Sequence, residues 1–432
     1  MKRLNATIIT IIIIIIGFFV FDKFGNKGLA LFFGVLILLE ISFMLLINSL
    51  REKFQWLITK KKDELPILSK EGLSKFIPQG YDSELGWIRK PNTSHSEEGK
   101  FGKTIWHTNE KGARSNPNHE EFKNIISVYG DSFSFSRQVN DNETWEWYLS
   151  DLTKSNVINF GVGNYGIDQA LIRMKREYPK NKSPVVIMGV VPDTVSRIMS
   201  TWKHYYEYGN TFGFKPRFKI ENGKLTHIKN YIDDHSKFKD YQQIIKELQK
   251  EDYFYKNKFK KDLIHFPYII STFTNPIRNW HIISSLLLSS FYDKIGLNSD
   301  KISSLPMQKI MKINLDWRLK LYKKPEVVDL FAKIVEEFIS YAKEQDFTPV
   351  LALLPQKDDV LYIKKKRKFY NHFIDKVKDN ILTIDLINTL IKEQDLDKLY
   401  SDDNEYGGHY SKFGNELVAK VIYNRLRLDK II

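Results

Sequence analysis

The sequence predicts a doubly wound α/β protein, in which a five-stranded parallel sheet is covered by helices on both faces in three layers. From residue 124 onward, five short apolar runs rich in β-branched residues alternate with helical patterns. The runs are almost continuously apolar, as in strands that are buried on both faces. Two further apolar segments, longer than any strand, occupy the first 50 of the 432 residues.

The alternation of strands and helices also predicts where a site should form. The predicted strands are Ile125–Tyr129, Val157–Phe160, Val185–Val191, Val350–Leu354 and Ile381–Leu386. The predicted helices are Glu143–Leu152, Ile167–Tyr178, Pro325–Gln345, Arg367–Lys378 and Phe413–Leu426. Five such strands suit the flavodoxin-like order, in which ligands bind at the carboxyl ends of the strands. A helical insertion, about residues 194–346, separates strands three and four and opens with a hairpin at Asn222-Gly223.

The first 50 residues predict a transmembrane helical hairpin. Leu4–Phe21 and Gly28–Ile47 are almost wholly apolar apart from Glu40, and Asp22–Lys27 forms a polar turn between them. Eighteen helical residues span roughly 27 Å, close to the thickness of a bilayer core. A cleaved signal peptide is the alternative for the first segment, but its apolar run is long and no small-x-small site follows it.

Basic residues around the two segments predict their orientation. Two lie before the first segment, two in the turn and five just after the second, namely Arg51, Lys53, Lys60, Lys61 and Lys62. We therefore expect a two-pass protein of the inner or plasma membrane, with its soluble part cytoplasmic rather than periplasmic. Residues 51–120 predict a connector and a small β-rich segment, and residues 121–430 the α/β domain.

Composition excludes several function classes. The chain has no cysteine, which removes disulfides, thiolate metal sites and cysteine nucleophiles. Its net charge is +14, yet no zinc-finger spacing, RNP motif or basic helix supports nucleic-acid binding. Dispersed lysines beside acidic residues are instead typical of a solvated surface that tolerates an anionic membrane. The oligomeric state is left open.

The turn after the first predicted strand is the main candidate for chemistry. Gly130-Asp131-Ser132 ends the strand Ile125–Tyr129, and a helix follows from Glu143. A tight turn between strand and helix can hold a serine Oγ clear of the sheet, with backbone N–H groups around it. Gly-Asp-Ser is also ordinary turn chemistry, and this remains the alternative when the tripeptide is taken alone.

Three segments resemble the motifs of the SGNH/GDSL hydrolases. They are Val128–Ser134, Asn159–Gly166 and Gly407–Asn415, and the resemblance extends over roughly Tyr81–Ile422 with a large insertion. It implies that Ser132 is the nucleophile and His409 the base of an esterase that needs no metal or organic cofactor. In bacterial relatives, segments like Asp82, Leu85–Trp87, Thr108-Asn109 and Gly112–Arg114 often precede the first motif. Here we expect a lid or edge hairpin, with substrate contact as the alternative.

The resemblance also assigns the remaining roles, with departures. It places the oxyanion hole at the N–H of Ser132 and of Asn164, beside Gly163, at a position that is usually glycine. The family's asparagine after strand three is replaced by Pro192-Asp193, so Asp193 is either substrate-facing or a helix N-cap. The family's acid position holds Tyr406, and Asp403 is our candidate to orient His409, with Glu405 or a serine–histidine dyad as alternatives.

Three functions follow from these expectations. The first is a membrane-anchored serine hydrolase that cleaves an acyl ester of a carbohydrate or lipid, where the preference for a polysaccharide is analogy alone. The second is an acyltransferase on the same fold, which passes the acyl group to a sugar hydroxyl. The third is a non-catalytic scaffold that binds a glycan or a partner.

Overall fold

The computed structural model describes residues 6–53, 57–207, 209–297, 300–404 and 406–432. It divides into two compact units. The first comprises residues 1–68, 204–211 and 245–314, and the second comprises residues 69–203, 212–244 and 315–432.

The described strands are β1 (Tyr81–Asp82), β2 (Gly86–Trp87), β3 (Ser94–Gly99), β4 (Gly102–His107), β5 (Asn124–Gly130), β6 (Asn156–Asn159), β7 (Val185–Val190), β8 (Arg217–Glu221), β9 (Lys224–Ile228), β10 (Thr348–Leu353) and β11 (Leu382–Asp385).

The described α-helices are α1 (Ala6–Lys53), α2 (Lys70–Gln79), α3 (Trp145–Thr153), α4 (Ile167–Glu177), α5 (Thr194–Arg197), α6 (Lys203–Tyr206), α7 (Tyr241–Leu248), α8 (Lys260–Asp262), α9 (Tyr268–Thr274), α10 (Pro276–Lys294), α11 (Asp300–Ser303), α12 (Leu305–Leu321), α13 (Pro325–Gln345), α14 (Lys357–Lys365), α15 (Asn371–Val377), α16 (Ile387–Leu390), α17 (Leu396–Leu399) and α18 (Lys412–Leu428).

The second unit contains the predicted parallel sheet. Its strand order is β6-β5-β7-β10-β11, and every neighbouring pair is parallel. All residues of β6 and β7 are buried, so both faces of these strands are covered. Helix α3 packs against α18, while α4 packs against α13. The predicted five-stranded, flavodoxin-like order is confirmed, and the carboxyl ends of β5, β6 and β7 share one edge.

Three antiparallel hairpins supplement this sheet in the second unit. They are β1 with β2, β3 with β4, and β8 with β9. The predicted Asn-Gly turn joins β8 to β9, with Asn222 at φ 51° and Gly223 at φ 75°. Two consecutive residues at positive φ suit the twist of a two-residue hairpin loop.

The first unit carries the apolar N-terminal helix. Over Ile11–Glu52, α1 is long and apolar enough to cross a membrane, judged by length and composition. Its backbone leaves the helical region at Gly25, with φ 63° and ψ −158°. A Cβ built on Gly17 would lie 3.4 Å from the ring of Phe32. The structure therefore has one helical element over Ala6–Lys53, with non-helical backbone at Gly25.

Glu40, the charge inside the second apolar segment, has partners in the first unit. Its carboxylate accepts the backbone N–H groups of Tyr268 and Ile269 at the start of α9. A carboxylate in an apolar segment is costly unless it is hydrogen-bonded. The start of α9 supplies those bonds, and an apolar cluster that includes Ile47, Leu50, Ile282 and Leu286 packs in the same unit.

Candidate active site

Ser132 lies in the turn that leaves β5, and Asp131 holds this turn in place. The buried Asp131 carboxylate accepts the N–H of Phe133 at 2.8 Å and the N–H of Val191, after β7, at 2.9 Å. It also accepts Nη1 of Arg197 at 3.2 Å. Burial raises the pKa of Asp131 against the opposing effect of Arg197. The nucleophile turn is thus tied to the end of the neighbouring strand.

The side chain of Ser132 has an unused hydroxyl. Only 7% of the residue is exposed, and within the described residues Oγ has no hydrogen-bond partner. The residue's carbonyl accepts the N–H of Arg137 at 3.1 Å, so the backbone is anchored while the hydroxyl is not. A serine at the carboxyl edge of the sheet whose hydroxyl makes no hydrogen bond to the protein is suited to act as a nucleophile.

The loop after β6 lies directly beside Ser132. A Cβ built on Gly163 would lie 4.0 Å from Cβ of Ser132, and Asn164 has φ 68° as the predicted left-handed residue. Asn159 links the two loops, since its Nδ2 donates to Ser134 O at 2.7 Å and its Oδ1 accepts Gly161 N–H at 2.8 Å. Across the described ranges, the N–H groups of Ser132, Gly163 and Asn164 have no acceptor. Three such donors suit an oxyanion hole.

His409 is delivered by the predicted glycine turn. Gly407 and Gly408 have φ 78° and 65°, which favours glycine, and a Cβ on Gly408 would lie 2.5 Å from side-chain atoms of Ser401 and Asp402, which would have to move. The imidazole packs against the ring of Phe133, with the ring centroids 4.8 Å apart. The structure therefore brings His409 to the residue that follows Ser132.

A glutamine fixes the tautomer of His409. Oε1 of Gln138 lies 2.8 Å from Nδ1 of His409 and also accepts the His409 backbone N–H at 3.0 Å and Ser401 Oγ–H at 2.8 Å. Because the backbone N–H can only donate, the atom it meets is the carbonyl oxygen, and Nδ1 must carry the proton. Nε2 is then the unprotonated nitrogen that a general base needs.

Electrostatics keep this imidazole neutral. Burial, together with the charges of Arg137 and Arg197, lowers the pKa of His409 to about 3. The imidazole of His409 is therefore unprotonated throughout the physiological range.

The structure corrects the assignment of Asp403. Its side chain is largely exposed and forms an ion pair with Lys100, while Nδ1 of His409 is already taken by Gln138. Asp402, whose carboxyl interacts with the side chain of Gln138, is the acid linked to His409. Burial raises the pKa of Asp402. The alternative acid Glu405 lies outside the described residues.

The structure also corrects the assignment of Asp193. Its buried carboxylate lies 3.5 Å from Nε of Arg197 and 3.5 Å from Nε of Arg318, and it makes no capping hydrogen bond to α5. Arg318 additionally pairs with Asp358 and Asp359. Because this carboxylate is buried, lies beside two arginines and caps no helix, Asp193 belongs to a buried charge network and is neither an N-cap nor open to a substrate.

A cavity of about 600 Å³ opens beside this site in the second unit. Its wall includes the loop residues Gly163 and Asn164, and from the β-rich segment Trp87, Arg89 and Trp106. The segment is attached to the loop by Trp87 Nε1–H, which donates to Gly163 O at 2.9 Å. The segment that was expected to be a lid or edge hairpin thus also lines this cavity.

Sequence reasoning missed Gln138 and Arg89. Gln138 follows the first motif by four residues in an irregular stretch, and its one local peculiarity is a φ of 69°, which the sequence does not display. Arg89 lies two residues after the family-like segment Leu85–Trp87, but nothing in the local sequence distinguishes it from its neighbours. Within the described residues no group of three or more His, Asp or Glu side chains is arranged to hold a metal ion.

Several solved structures are similar to this chain, whereas no family model and no curated protein matches it. A G-D-S-L family lipolytic protein from Desulfitobacterium hafniense DCB-2 is 14% identical over 70% of this chain and 100% of its own, with a TM-score of 0.33. The acetyl xylan esterase AlAXEase is 10% identical over 69% and 98%, with a TM-score of 0.32. A lipase/acylhydrolase from Enterococcus faecalis is 11% identical over 70% and 95%, with a TM-score of 0.33. At such identities and TM-scores, function has to be argued from the site.

Proposed function

We propose that this protein is a membrane-anchored serine hydrolase of the SGNH/GDSL type that cleaves an acyl ester of a carbohydrate or lipid. One observation carries the proposal: Gln138 fixes a neutral, Nδ1-protonated His409 whose ring packs beside the turn of Ser132. The three unused N–H groups of Ser132, Gly163 and Asn164 complete the parts that acyl transfer requires.

The reaction proceeds in two acyl-transfer steps. His409 Nε2 takes the proton from Ser132 Oγ as Oγ attacks the carbonyl carbon, and the oxyanion binds the free N–H groups of Ser132, Gly163 and Asn164. The imidazolium then protonates the leaving alcohol, which departs and leaves an acyl-serine. Water, deprotonated by the same imidazole, attacks the acyl carbon. The bond to Ser132 Oγ then breaks, the imidazolium returns its proton to Oγ, and the carboxylic acid leaves.

Gln138 supports this chemistry differently from a carboxylate. Its carbonyl oxygen orients the imidazole and selects the tautomer, but as a neutral group it stabilises the imidazolium only by its dipole. Ser401 Oγ–H and the His409 backbone N–H hold that oxygen in place, and Asp402 binds the same side chain. The function of the usual acid is thus divided between an orienting amide and a carboxyl behind it.

A serine-directed fluorophosphonate tests the proposal on the full chain in detergent. We expect wild-type protein and Ser94→Ala to be labelled and Ser132→Ala to be unlabelled. Ser94 is a matched control, because it is an exposed serine that lines the same cavity. Equal labelling of Ser132→Ala contradicts the proposal and means that another serine reacts. No labelling and no turnover of short acyl esters by wild type also contradicts it and favours a scaffold. Product analysis with an added sugar acceptor separates hydrolysis from acyl transfer.

The membrane anchor that we propose is a hairpin with the soluble part on the cytoplasmic side. The non-helical backbone at Gly25 and the packing of Gly17 against Phe32, fifteen positions later, support a reversal between two apolar segments. The excess of basic residues after the second segment supports the orientation.

Cysteine accessibility tests this topology, since the chain has no cysteine of its own. In intact cells, an impermeant maleimide should label Asn26→Cys and not Lys62→Cys, and permeabilisation should expose Lys62→Cys. Labelling of Lys62→Cys alone in intact cells reverses the orientation. If Asn26→Cys stays unlabelled even after permeabilisation, a single long span is the better description.

A further inference from the structure

Arg89 differs from the neighbouring Arg114 and Arg137 because, within the described residues, it has no Asp or Glu side chain as a partner. Arg114 Nε donates to Asp141 at 2.7 Å, and Arg137 Nε donates to both oxygens of Glu97, at 2.8 and 2.9 Å. Arg89 has neither a carboxylate nor any other hydrogen-bond acceptor among the residues described. A half-buried guanidinium with five unused N–H donors is unusual, because such donors are normally satisfied.

The side chain of Arg89 is nevertheless held in one place by stacking. Its guanidinium carbon lies 4.4 Å from the ring centroid of Trp106 and 5.1 Å from that of Phe135. These cation–π contacts use none of the N–H groups as hydrogen-bond donors to an oxygen, so the donors remain available. Burial, together with the charge of Arg137, lowers the pKa of Arg89 to about 10, which leaves the group charged at neutral pH.

Arg89 also lies close to the reaction centre. The Cβ position of Gly163 is 3.8 Å from Nη2 of Arg89 and 4.0 Å from Cβ of Ser132. The guanidinium and the Ser132 side chain therefore both lie within 4.0 Å of one point beside Gly163. A substrate whose ester reaches Ser132 has its neighbouring atoms within range of Arg89.

The cavity itself favours an anion. Its described lining includes Arg89, Arg137 and Lys90 and contains no Asp or Glu. The charges of Arg137 and Lys90 are partly committed, to Glu97 and to the carbonyl of Tyr81. The uncommitted positive charge is that of Arg89. A volume of about 600 Å³ suits a ligand of one or two sugar units.

We propose that Arg89 binds an oxyanion of the substrate, so that the protein acts on acyl esters of molecules that carry a carboxylate or a phosphate. A planar guanidinium binds two oxygens of either group at once, which makes it more than a point charge. The inference rests on the proposed hydrolase function and assigns its substrate class. Arg89 is a recognition residue in this scheme and takes no part in proton transfer.

Matched substrates test this on the full chain: O-acetyl glucose as the neutral member, O-acetyl glucuronate for the carboxylate and O-acetyl glucose 6-phosphate for the phosphate. Wild type should prefer at least one anionic member. Arg89→Met should lower kcat/KM for that member roughly 10- to 100-fold, as expected for loss of a charged hydrogen-bond pair. It should leave the neutral ester within about twofold. The arm with the larger loss identifies the anionic group.

Lys90→Met is the control, because it removes one positive charge from the same cavity wall while Arg89 keeps its stacking. It should preserve the anionic preference. If Arg89→Met lowers turnover of all three esters equally, or if wild type shows no anionic preference, Arg89 is structural and the inference is overturned, although the hydrolase proposal stands.

Binding separates this inference from the proposed function. Calorimetry with Ser132→Ala should detect glucuronate or glucose 6-phosphate more tightly than glucose, and Arg89→Met in that background should abolish the difference. An anionic preference in binding without any ester turnover would sustain the inference about Arg89 and remove the hydrolase. Equal binding of all three sugars would remove the inference.

Discussion

The two sides of Ser132 are built on opposite principles. On one side, His409 is enclosed by hydrogen bonds and is kept neutral by burial and by Arg137 and Arg197. On the other side, the N–H groups of Gly163 and Asn164 and the guanidinium of Arg89 have no partner within the described residues. We call these the histidine side and the arginine side.

On the histidine side the polar groups already have hydrogen-bond partners, whereas on the arginine side the donors are available to a ligand. A base must hold one tautomer before substrate arrives, so its second nitrogen is committed to Gln138. Donors that stabilise a developing charge work best when nothing in the protein competes for them. Satisfaction on one side and open donors on the other are therefore both expected of one reaction centre.

Removing the imidazole of His409 should have the largest effect on activity. We expect His409→Gln to lower kcat on short acyl esters by about 10⁴- to 10⁶-fold, since removal of a triad histidine costs about as much as removal of the whole triad. Steady-state kinetics measure the loss, and circular dichroism checks the fold. Residual activity above a hundredth of wild type would mean that another base acts.

Removing the side-chain oxygen of Gln138 should leave His409 in place but no longer fix which of its nitrogens carries the proton. Gln138→Leu keeps the volume but deprives Nδ1 of its partner, and a misoriented imidazole can lower kcat by up to about 10⁴-fold. Gln138→Glu is the matched variant, since it retains an acceptor oxygen and should keep most of the activity. If both substitutions have the same mild effect, Gln138 does not orient His409.

The pH profile should show how strongly the histidine side is buried. With a pKa of about 3 for His409, kcat/KM should stay level from pH 8 down to pH 5 and fall only near pH 3 to 4. A histidine at its ordinary pKa of 6.5 would lose about 30-fold at pH 5. In Gln138→Glu the added carboxylate should move the acid limb upward. A fall in kcat/KM near pH 6.5 in wild type would contradict the burial of His409.

The two neighbouring aspartates offer the smallest and most discriminating test. Asp402→Asn weakens the support of Gln138 and should lower kcat roughly 5- to 10-fold, the equivalent of one hydrogen bond. Asp403→Asn, which breaks an exposed pair with Lys100, should change kcat by less than about twofold. The opposite order of effects would restore Asp403 as the acid.

Local patterns made most of the fold predictable. The strand order followed from apolar runs that alternate with helices, and the hairpin turn at Asn222-Gly223 followed from residues that accept positive φ. The roles proposed for Ser132 and His409 came from glycine-containing turns, whose shape is set by near neighbours, together with the family resemblance of the motifs around them. The expected roles of Asp193 and Asp403 were wrong because the partner of a charged side chain depends on the three-dimensional arrangement. Asp193 lies beside two arginines, and Asp403 pairs with Lys100.

By itself the sequence determined the apolar N-terminal segments, the parallel sheet and the turns that present Ser132 and His409, because these depend on periodicity and on backbone preferences of adjacent residues. Only the tertiary structure decided which group orients the base and which cation is left open. Gln138 contacts His409 although 271 positions separate them in the sequence. Arg89 lies near Gly163 because a hydrogen bond from Trp87 to Gly163 O links the β-rich segment to the loop after β6. Such contacts depend on how distant backbone segments close together, and no local pattern encodes that distance.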